Sequence, residues 1–339
     1  MDSETAARTV RGILKIYGFE ETSRIELVKY RENHVFRLTR PTGASYAVRL
    51  HRAGYRTDTE IETELAYLDV LADLGLGVPE VVRTLDNDLM CWVPDESGTD
   101  VQVDVQRWIE AARPLGDIAE ALEGKEGLGA LDFRQLGELT ARLHRSTAAI
   151  GRLPGFQRAA WDAEGLAGEA PLWGSPLALV GLNGDDVSLL TSALARLRRD
   201  LDALETAADR YGVIHADLTP ENVLVSDRQM YVIDFDDFGE GWHLFDLATI
   251  LFFYQRHPLY AAYQQALFDG YDSVRKMPTG FLDAWDTMLL ARGLTYLGWA
   301  AERHGDDVSA FIAEHVAPIV LDLARRYTSA EASPAHATP

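Results

Sequence analysis

The spacing of apolar and polar residues changes character along the chain. Ala6, Val10, Ile13, Leu14 and Tyr17 recur at helical intervals, predicting a helix over 5–17 that Gly18 can end. Strand-like runs follow at 24–30, 34–39 and 45–51, the last two joined by a Pro41-Thr42-Gly43 turn, as in an antiparallel sheet. A helix is expected over 57–74, with Thr57 or Asp58 as N-cap and Ile61, Leu65, Leu68 and Leu71 on one face. A strand is expected at 101–109, after a turn at 95–100. Beyond this point helices dominate: 133–150 carries Leu136, Leu139, Leu143 and Ile150, and 187–211 carries a stripe from Leu189 to Leu204. Residues 117–129 are glycine-rich and charged and predict a loop, while 151–184, rich in Gly, Pro and Trp, predict an irregular insertion. Two short apolar runs, 222–225 and 230–233, predict a hairpin turning at 226–228, and 258–327 return to helices.

Composition narrows the function classes. Asp and Glu outnumber Lys and Arg by 53 to 32, a net charge of -21, so nucleic-acid backbones and anionic membranes would be repelled. Cys91 is the only cysteine, which rules out an intrachain disulfide or a cysteine-based zinc cluster. The opening residues lack a basic segment followed by an apolar core, and the most apolar run, 244–254, is too short to span a bilayer. A cytoplasmic protein without nucleic-acid or membrane partners is the expectation.

Chemistry concentrates around the predicted hairpin. Asp217 lies in the loop before its first strand, Asn222 at that strand's entrance, and Asp234 directly after the second strand. A hairpin can bring the three to one edge. Carboxylate, carboxamide and carboxylate are what phosphoryl transfer requires: one Asp orients the nucleophilic hydroxyl, while Asn and a second Asp hold magnesium on nucleotide phosphates.

The spacing H-x-D-x-x-x-x-N, here His215, Asp217 and Asn222, followed by an apolar strand ending at Asp234, resembles the catalytic segment of the protein-kinase-like superfamily. Ala216 stands where protein kinases have Arg, and Asp234-Phe235-Asp236 where they have Asp-Phe-Gly. Both departures resemble the aminoglycoside phosphotransferase and choline kinase branch. The resemblance implies an α+β, two-lobed kinase-like fold: a small antiparallel-sheet N-lobe over 1–112, a larger, mainly helical C-lobe over 113–328, and a disordered tail over 329–339. It implies transfer of the γ-phosphoryl of ATP, with GTP as the alternative donor, to a hydroxyl of a small molecule. That acceptor class is aminoglycoside-, nucleoside antibiotic-, homoserine- or choline-like. A stress-type serine/threonine protein kinase and a catalytically dead nucleotide-binding module are the competing readings.

The resemblance also assigns residues. Asp217 is the catalytic base, and Asn222 and Asp234 hold Mg2+. Arg49, in place of the usual Lys, holds phosphates with Glu64 as its acidic partner, Glu60 and Glu62 being rivals for that part. Asn33, in a turn that replaces the glycine-rich loop, reaches phosphate oxygens. Trp108, Ile109 and Glu110 lie at the hinge whose backbone meets adenine. His215 and Asp246 support the catalytic loop, and His144 is a hydrogen-bonding support. Asp236 and Asp237 are candidates for a second magnesium or a cationic substrate, or else solvated loop acids, and Trp242 is a candidate substrate contact. Tyr271, Trp285, Tyr296 and Trp299, interspersed with Asp283, Asp286, Glu302 and Asp306, are either core or a wall that binds a protonated amine through ion pairing and cation-π contact.

Overall fold

The computed structural model describes residues 3–30, 33–125, 127–227, 229–303 and 305–329. The tail from residue 330 onward, and Arg31 and Glu32 of the first turn, lie outside the described residues. In chain order the elements are α1 (Ser3–Arg11), β1 (Arg24–Tyr30), β2 (His34–Thr39), β3 (Ser45–Leu50), α2 (Asp58–Asp73), β4 (Val81–Val82), β5 (Met90–Pro94), β6 (Asp100–Arg107) and β7 (Arg113–Pro114). Then come α3 (Ile118–Glu123), α4 (Ala130–Ile150), β8 (Ala160–Trp161), α5 (Ala163–Ala167), α6 (Gly184–Asp202), β9 (Tyr211–Ile214), β10 (Val223–Ser226), β11 (Gln229–Val232) and β12 (Gly239–Trp242). The last helices are α7 (His243–Leu251), α8 (Tyr260–Val274), α9 (Trp285–Ala301), α10 (Asp307–Phe311) and α11 (Ala317–Ser329).

The chain divides into two compact units, the first made of Met1–Leu115, Arg152–Arg158 and Asn222–Asp236. Its six-stranded sheet is antiparallel, ordered β1-β2-β3-β6-β4, with β5 also pairing β6. Period-two alternation puts Phe36, Leu38, Val48, Leu50, Val103 and Val105 on the side packed against Val10 and Ile13. β6 is buried on both faces, so its alternate residues Gln102, Asp104 and Gln106 are buried polar groups. α2 starts with a capping box in which Thr57 Oγ1 accepts the Glu60 N–H and Glu60 Oε2 accepts the Thr57 N–H. It buries Ile61, Leu65, Leu68 and Leu71, as their spacing predicts. The helix expected over 5–17 stops at Arg11: Gly12 weakens its continuation, and turns carry the chain to Gly18 at φ +68°. The strand expected to run to Ile109 ends at Arg107.

The second unit comprises Gly116–Gly151, Ala159–Glu221 and Asp237–Pro339. α4 and α8 approach closely through glycines: a Cβ at Gly137 would stand 2.1 Å from Leu267 O, and one at Gly270 would stand 2.0 Å from Arg134 O. α9 is buried on nearly every side, as a helix that is apolar all round must be. The insertion crosses it where a Cβ on Gly298 would meet Gly174 O at 2.2 Å. β12 pairs parallel with β8 and antiparallel with β9, delivering the chain into and out of the segment that carries Asp217.

Two expectations change here. The loop at 117–129 contains α3, which Asp117 caps by accepting the Glu120 N–H and Gly124 ends at φ +67°. The helix expected over 187–211 begins at Gly184 under an Asn183 cap and ends at Asp202, because its buried face ends at Leu201 and Tyr211 joins β9. Among the described residues no helix is long and apolar enough to cross a membrane.

Candidate active site

In the first unit the β10–β11 hairpin sets two oxygen donors at one mouth. Val223 pairs with Val232, and Asn222 O accepts the Ile233 N–H at 2.9 Å, closing the pair immediately before Asp234. Asn222 is buried, whereas Asp234 is exposed and sits at φ +66°, a left-handed conformation that turns the chain sharply as it leaves β11. Gly77 O accepts the Val232 N–H at 2.8 Å, and β7 pairs with β10, so the hairpin is held on both sides.

The cation of β3 lies in the same unit. Arg49 Nη1 is 2.8 Å from Glu64 Oε1 and Nε is 2.9 Å from Asp104 Oδ2. Glu64, rather than Glu60 or Glu62, is thus the helix acid that meets Arg49; Glu60 belongs to the capping box. The sequence reading missed Asp104 and His51. Arg49 and Asp104 are directly paired across β3 and β6, and His51 Nε2 lies 2.7 Å from Asp104 Oδ2. All four side chains are buried. Burial pushes the Asp104 carboxyl upward, but Arg49 and His51 outweigh it and hold its pKa below the usual carboxylate range. Burial also opposes the charge on Arg49, yet Asp104, Glu64 and Asp236 together raise its pKa above the ordinary value. Arg49 Nη2 makes no hydrogen bond among the described residues. A buried, charged donor without an acceptor suits an incoming phosphate oxygen.

Other predicted residues of this unit are placed as follows. Asn33 Oδ1 accepts the Arg52 N–H at 3.3 Å. The Trp108 N–H donates to Ser45 O at 3.1 Å, and Arg37 stacks over the Trp108 ring while pairing with Glu110. Glu110 O accepts from Ser226 Oγ at 2.8 Å, and Ile109 is half-buried between them in sequence. Asp236 is buried, not a solvated loop acid, and its carbonyl accepts from Arg56 at 2.7 Å and from Arg158.

In the second unit Asp217 meets a residue that the sequence reading did not single out. Arg292 of α9 donates from Nη2 to Asp217 Oδ1 and from Nη1 to Ala216 O at 3.1 Å. The Asp217 N–H donates to His215 Nδ1 at 3.3 Å. Asp246 supports the loop from below: its carboxylate accepts the N–H of His215 at 3.0 Å and of Ala216 at 2.8 Å, and contacts His144 Nε2 at 2.9 Å. His144 Nδ1 in turn lies 3.0 Å from the Tyr271 hydroxyl. Burial drives the His144 pKa well below its usual value, with Arg275 and His215 adding to the effect, so the ring is neutral.

Asp237 is half-buried; its Oδ1 accepts from Trp173 Nε1 at 3.2 Å and its carbonyl from Trp161 Nε1 at 2.8 Å. Trp242 is a packing residue instead of an open contact surface: it is buried against Tyr211 and donates to Glu205 O. The aromatic and acidic wall does not form as one surface. Tyr271 and Trp285 are core, Tyr296 and Trp299 stack on Arg292 and Arg303, and Asp306 caps α10.

The family model for phosphotransferase enzymes matches residues 25–277, an interval that holds Arg49, the loop that carries Asp217, and the hairpin. The chain belongs to that family. Its structure resembles that of a microcompartment-associated aminopropanol kinase, with 30% identity, a TM-score of 0.83, and coverage of 97% of this chain and 98% of the other. An amicoumacin kinase solved with AMP-PNP, Ca2+ and Ami shares the fold at a TM-score of 0.75 and 20% identity, over 95% of this chain and 94% of that one. Among curated proteins, amicoumacin kinase of Bacillus subtilis (strain 168) is 24% identical over 70% of this chain. The chain spans 64% of that relative's length. Membership in the phosphotransferase family agrees with the kinase-like resemblance, and the antiparallel sheet of the first unit and the helices of the second agree with the α+β fold expected from it.

Proposed function

We propose that the protein transfers the γ-phosphoryl group of ATP to a hydroxyl of a small, amine-bearing molecule. The observation that carries this reading is the hairpin mouth, where Asn222 directly precedes the Val223–Val232 strand pair and the exposed Asp234 directly follows Ile233, whose N–H donates to Asn222 O, so that both residues bring hard oxygen ligands to one end of the hairpin. Asn222 and Asp234 would hold Mg2+, a cation that takes few protein oxygens and completes its shell from phosphates and water. Magnesium, when bound, would offset charge on the phosphates. Arg49, kept in place by Glu64 and Asp104, would donate to a phosphate oxygen through Nη2. Asp217 would orient the acceptor hydroxyl and take its proton.

The amine is suggested by one relative, the aminopropanol kinase, and by the acidic balance of the chain. Asp237, a half-buried residue whose carboxylate accepts from the Trp173 indole N–H and whose backbone carbonyl accepts from that of Trp161, is the side chain we assign to an ammonium. The test is acceptor-dependent nucleotide consumption with Mg2+, comparing amino alcohols, aminoglycosides, choline, homoserine, neutral sugars and a generic protein substrate. Turnover on an amine-bearing alcohol supports the proposal. Turnover confined to neutral sugars or protein refutes the acceptor class.

A further inference from the structure

Arg292 is a cation placed inside a helix that is otherwise apolar around it. Leu289, Leu290, Ala291, Leu294 and Leu297 surround it in sequence, and its side chain is 0% exposed. A buried guanidinium is costly unless its donors are met, so the partners it has been given are informative. Two of its nitrogens grip one residue boundary: Nη1 donates to Ala216 O and Nη2 to Asp217 Oδ1. Nη2 also donates to the Tyr296 hydroxyl at 2.7 Å. The Tyr296 ring lies 4.1 Å from the guanidinium carbon and the Trp173 ring 4.7 Å from it.

This geometry has a specific mechanical effect. A planar fork that holds both the carbonyl preceding Asp217 and the carboxylate of Asp217 ties the side chain to its own backbone, removing rotation about the bonds between them. Tyr296 and Trp173 prevent the fork from tilting. A purely structural arginine would need only a carbonyl and a carboxylate somewhere in the core. This one takes both from the residue proposed to meet the acceptor hydroxyl and its immediate neighbour.

We propose that Arg292 is a positioning residue for phosphoryl transfer, holding the Asp217 carboxylate in one orientation toward the acceptor hydroxyl. The inference rests on the assignment of Asp217 as the acceptor-side base. Trp173 extends the arrangement, since it stacks on Arg292 and donates to Asp237, tying the insertion to the same line of side chains.

The test is steady-state kinetics on Arg292→Gln, Arg292→Lys, Asp217→Asn and the double variant Asp217→Asn/Arg292→Gln, using an acceptor that the parent phosphorylates. A misplaced base lowers kcat while nucleotide binding is left alone, so Arg292→Gln should lose on the order of 100-fold in kcat with the nucleotide KM unchanged. Arg292→Lys, which keeps the charge without the fork, should recover part of that loss. The double variant should be no slower than Asp217→Asn alone, because the arginine then has no base to position. Parental kcat in Arg292→Gln with Asp217→Asn inactive overturns this inference alone, as does a double variant slowed by the product of the two single effects. Parental turnover in Asp217→Asn overturns the base assignment and this inference with it. If Arg292→Gln does not fold, Arg292→Lys decides: a kcat about tenfold below the parent at constant nucleotide KM supports the role, and parental kcat overturns it.

Discussion

Asp246 Oδ1 accepts the backbone N–H of Ala216 at 2.8 Å, across thirty residues of chain, and Ala216 is held at φ +68°. An alanine in the left-handed region is disfavoured by about 1 kcal/mol, and a buried carboxylate gripping two consecutive N–H groups offsets that cost. Asp246→Asn replaces a charged acceptor by a neutral amide with one acceptor oxygen. Equilibrium urea unfolding should show a loss of about 1–3 kcal/mol. Turnover should fall as well, because Asp217 is the next residue along.

The conformation of Ala216 gives a second prediction. Ala216→Gly suits the backbone and should stay within about 1 kcal/mol of the parent. Ala216→Val places a β-branched side chain at positive φ in a fully buried position and should cost about 1–3 kcal/mol, read from the same unfolding curves. Equal stability of the two variants would contradict the strained loop.

Arg49 divides its donors between carboxylates on two elements, Glu64 of α2 and Asp104 of β6. A lysine has no planar fork with which to meet both and still face a phosphate. Arg49→Lys should therefore weaken nucleotide binding roughly tenfold, the loss of about one charge-assisted hydrogen bond, as measured by calorimetry with a non-hydrolysable nucleotide. Unaltered affinity would show that the planar fork of Arg49 is not what binds the nucleotide.

Stability should decline as pH falls below about 6.5, the ordinary histidine range. His144 and His243 are both held neutral, with pKa values well below 6.5, mainly by burial; Arg275 adds to both, His215 to His144, and His144 to His243. In the unfolded chain each histidine takes a proton on passing below about 6.5 while the folded one does not, so the unfolded state binds more protons and stability rises with pH through this window. Thermal midpoints at pH 8 and pH 5.5 should differ accordingly, and His243→Phe should reduce the difference. A midpoint that does not change with pH would contradict the neutral pair.

What could be read from the sequence follows how local each signal is. Asp217, Asn222 and Asp234 lie within eighteen residues, and their identities together with the two short strands made the hairpin legible. Asp104 and Arg292 were harder, because their partners are 55 and 75 residues away. Each left a trace: Asp104 sits between valines in a strand buried on both faces, and Arg292 interrupts an apolar helix. A charge in such a place must be paired, but the sequence does not say with what. The overrun of the 187–211 helix has a different cause. Residues 203–210 contain helix formers with no buried face to keep them in register, and tertiary pairing claims Tyr211 for β9.

The central claim is that Asp217 acts on the acceptor while Asn222, Asp234 and Arg49 serve the nucleotide. Single-turnover phosphorylation of the best acceptor, run beside calorimetric binding of a magnesium-nucleotide analogue, separates the two on one variant. Asp217→Asn should bind the analogue as the parent does and lose at least about 100-fold in the phosphorylation rate, within the usual reach of a general base. Phosphorylation at the parental rate would contradict the account.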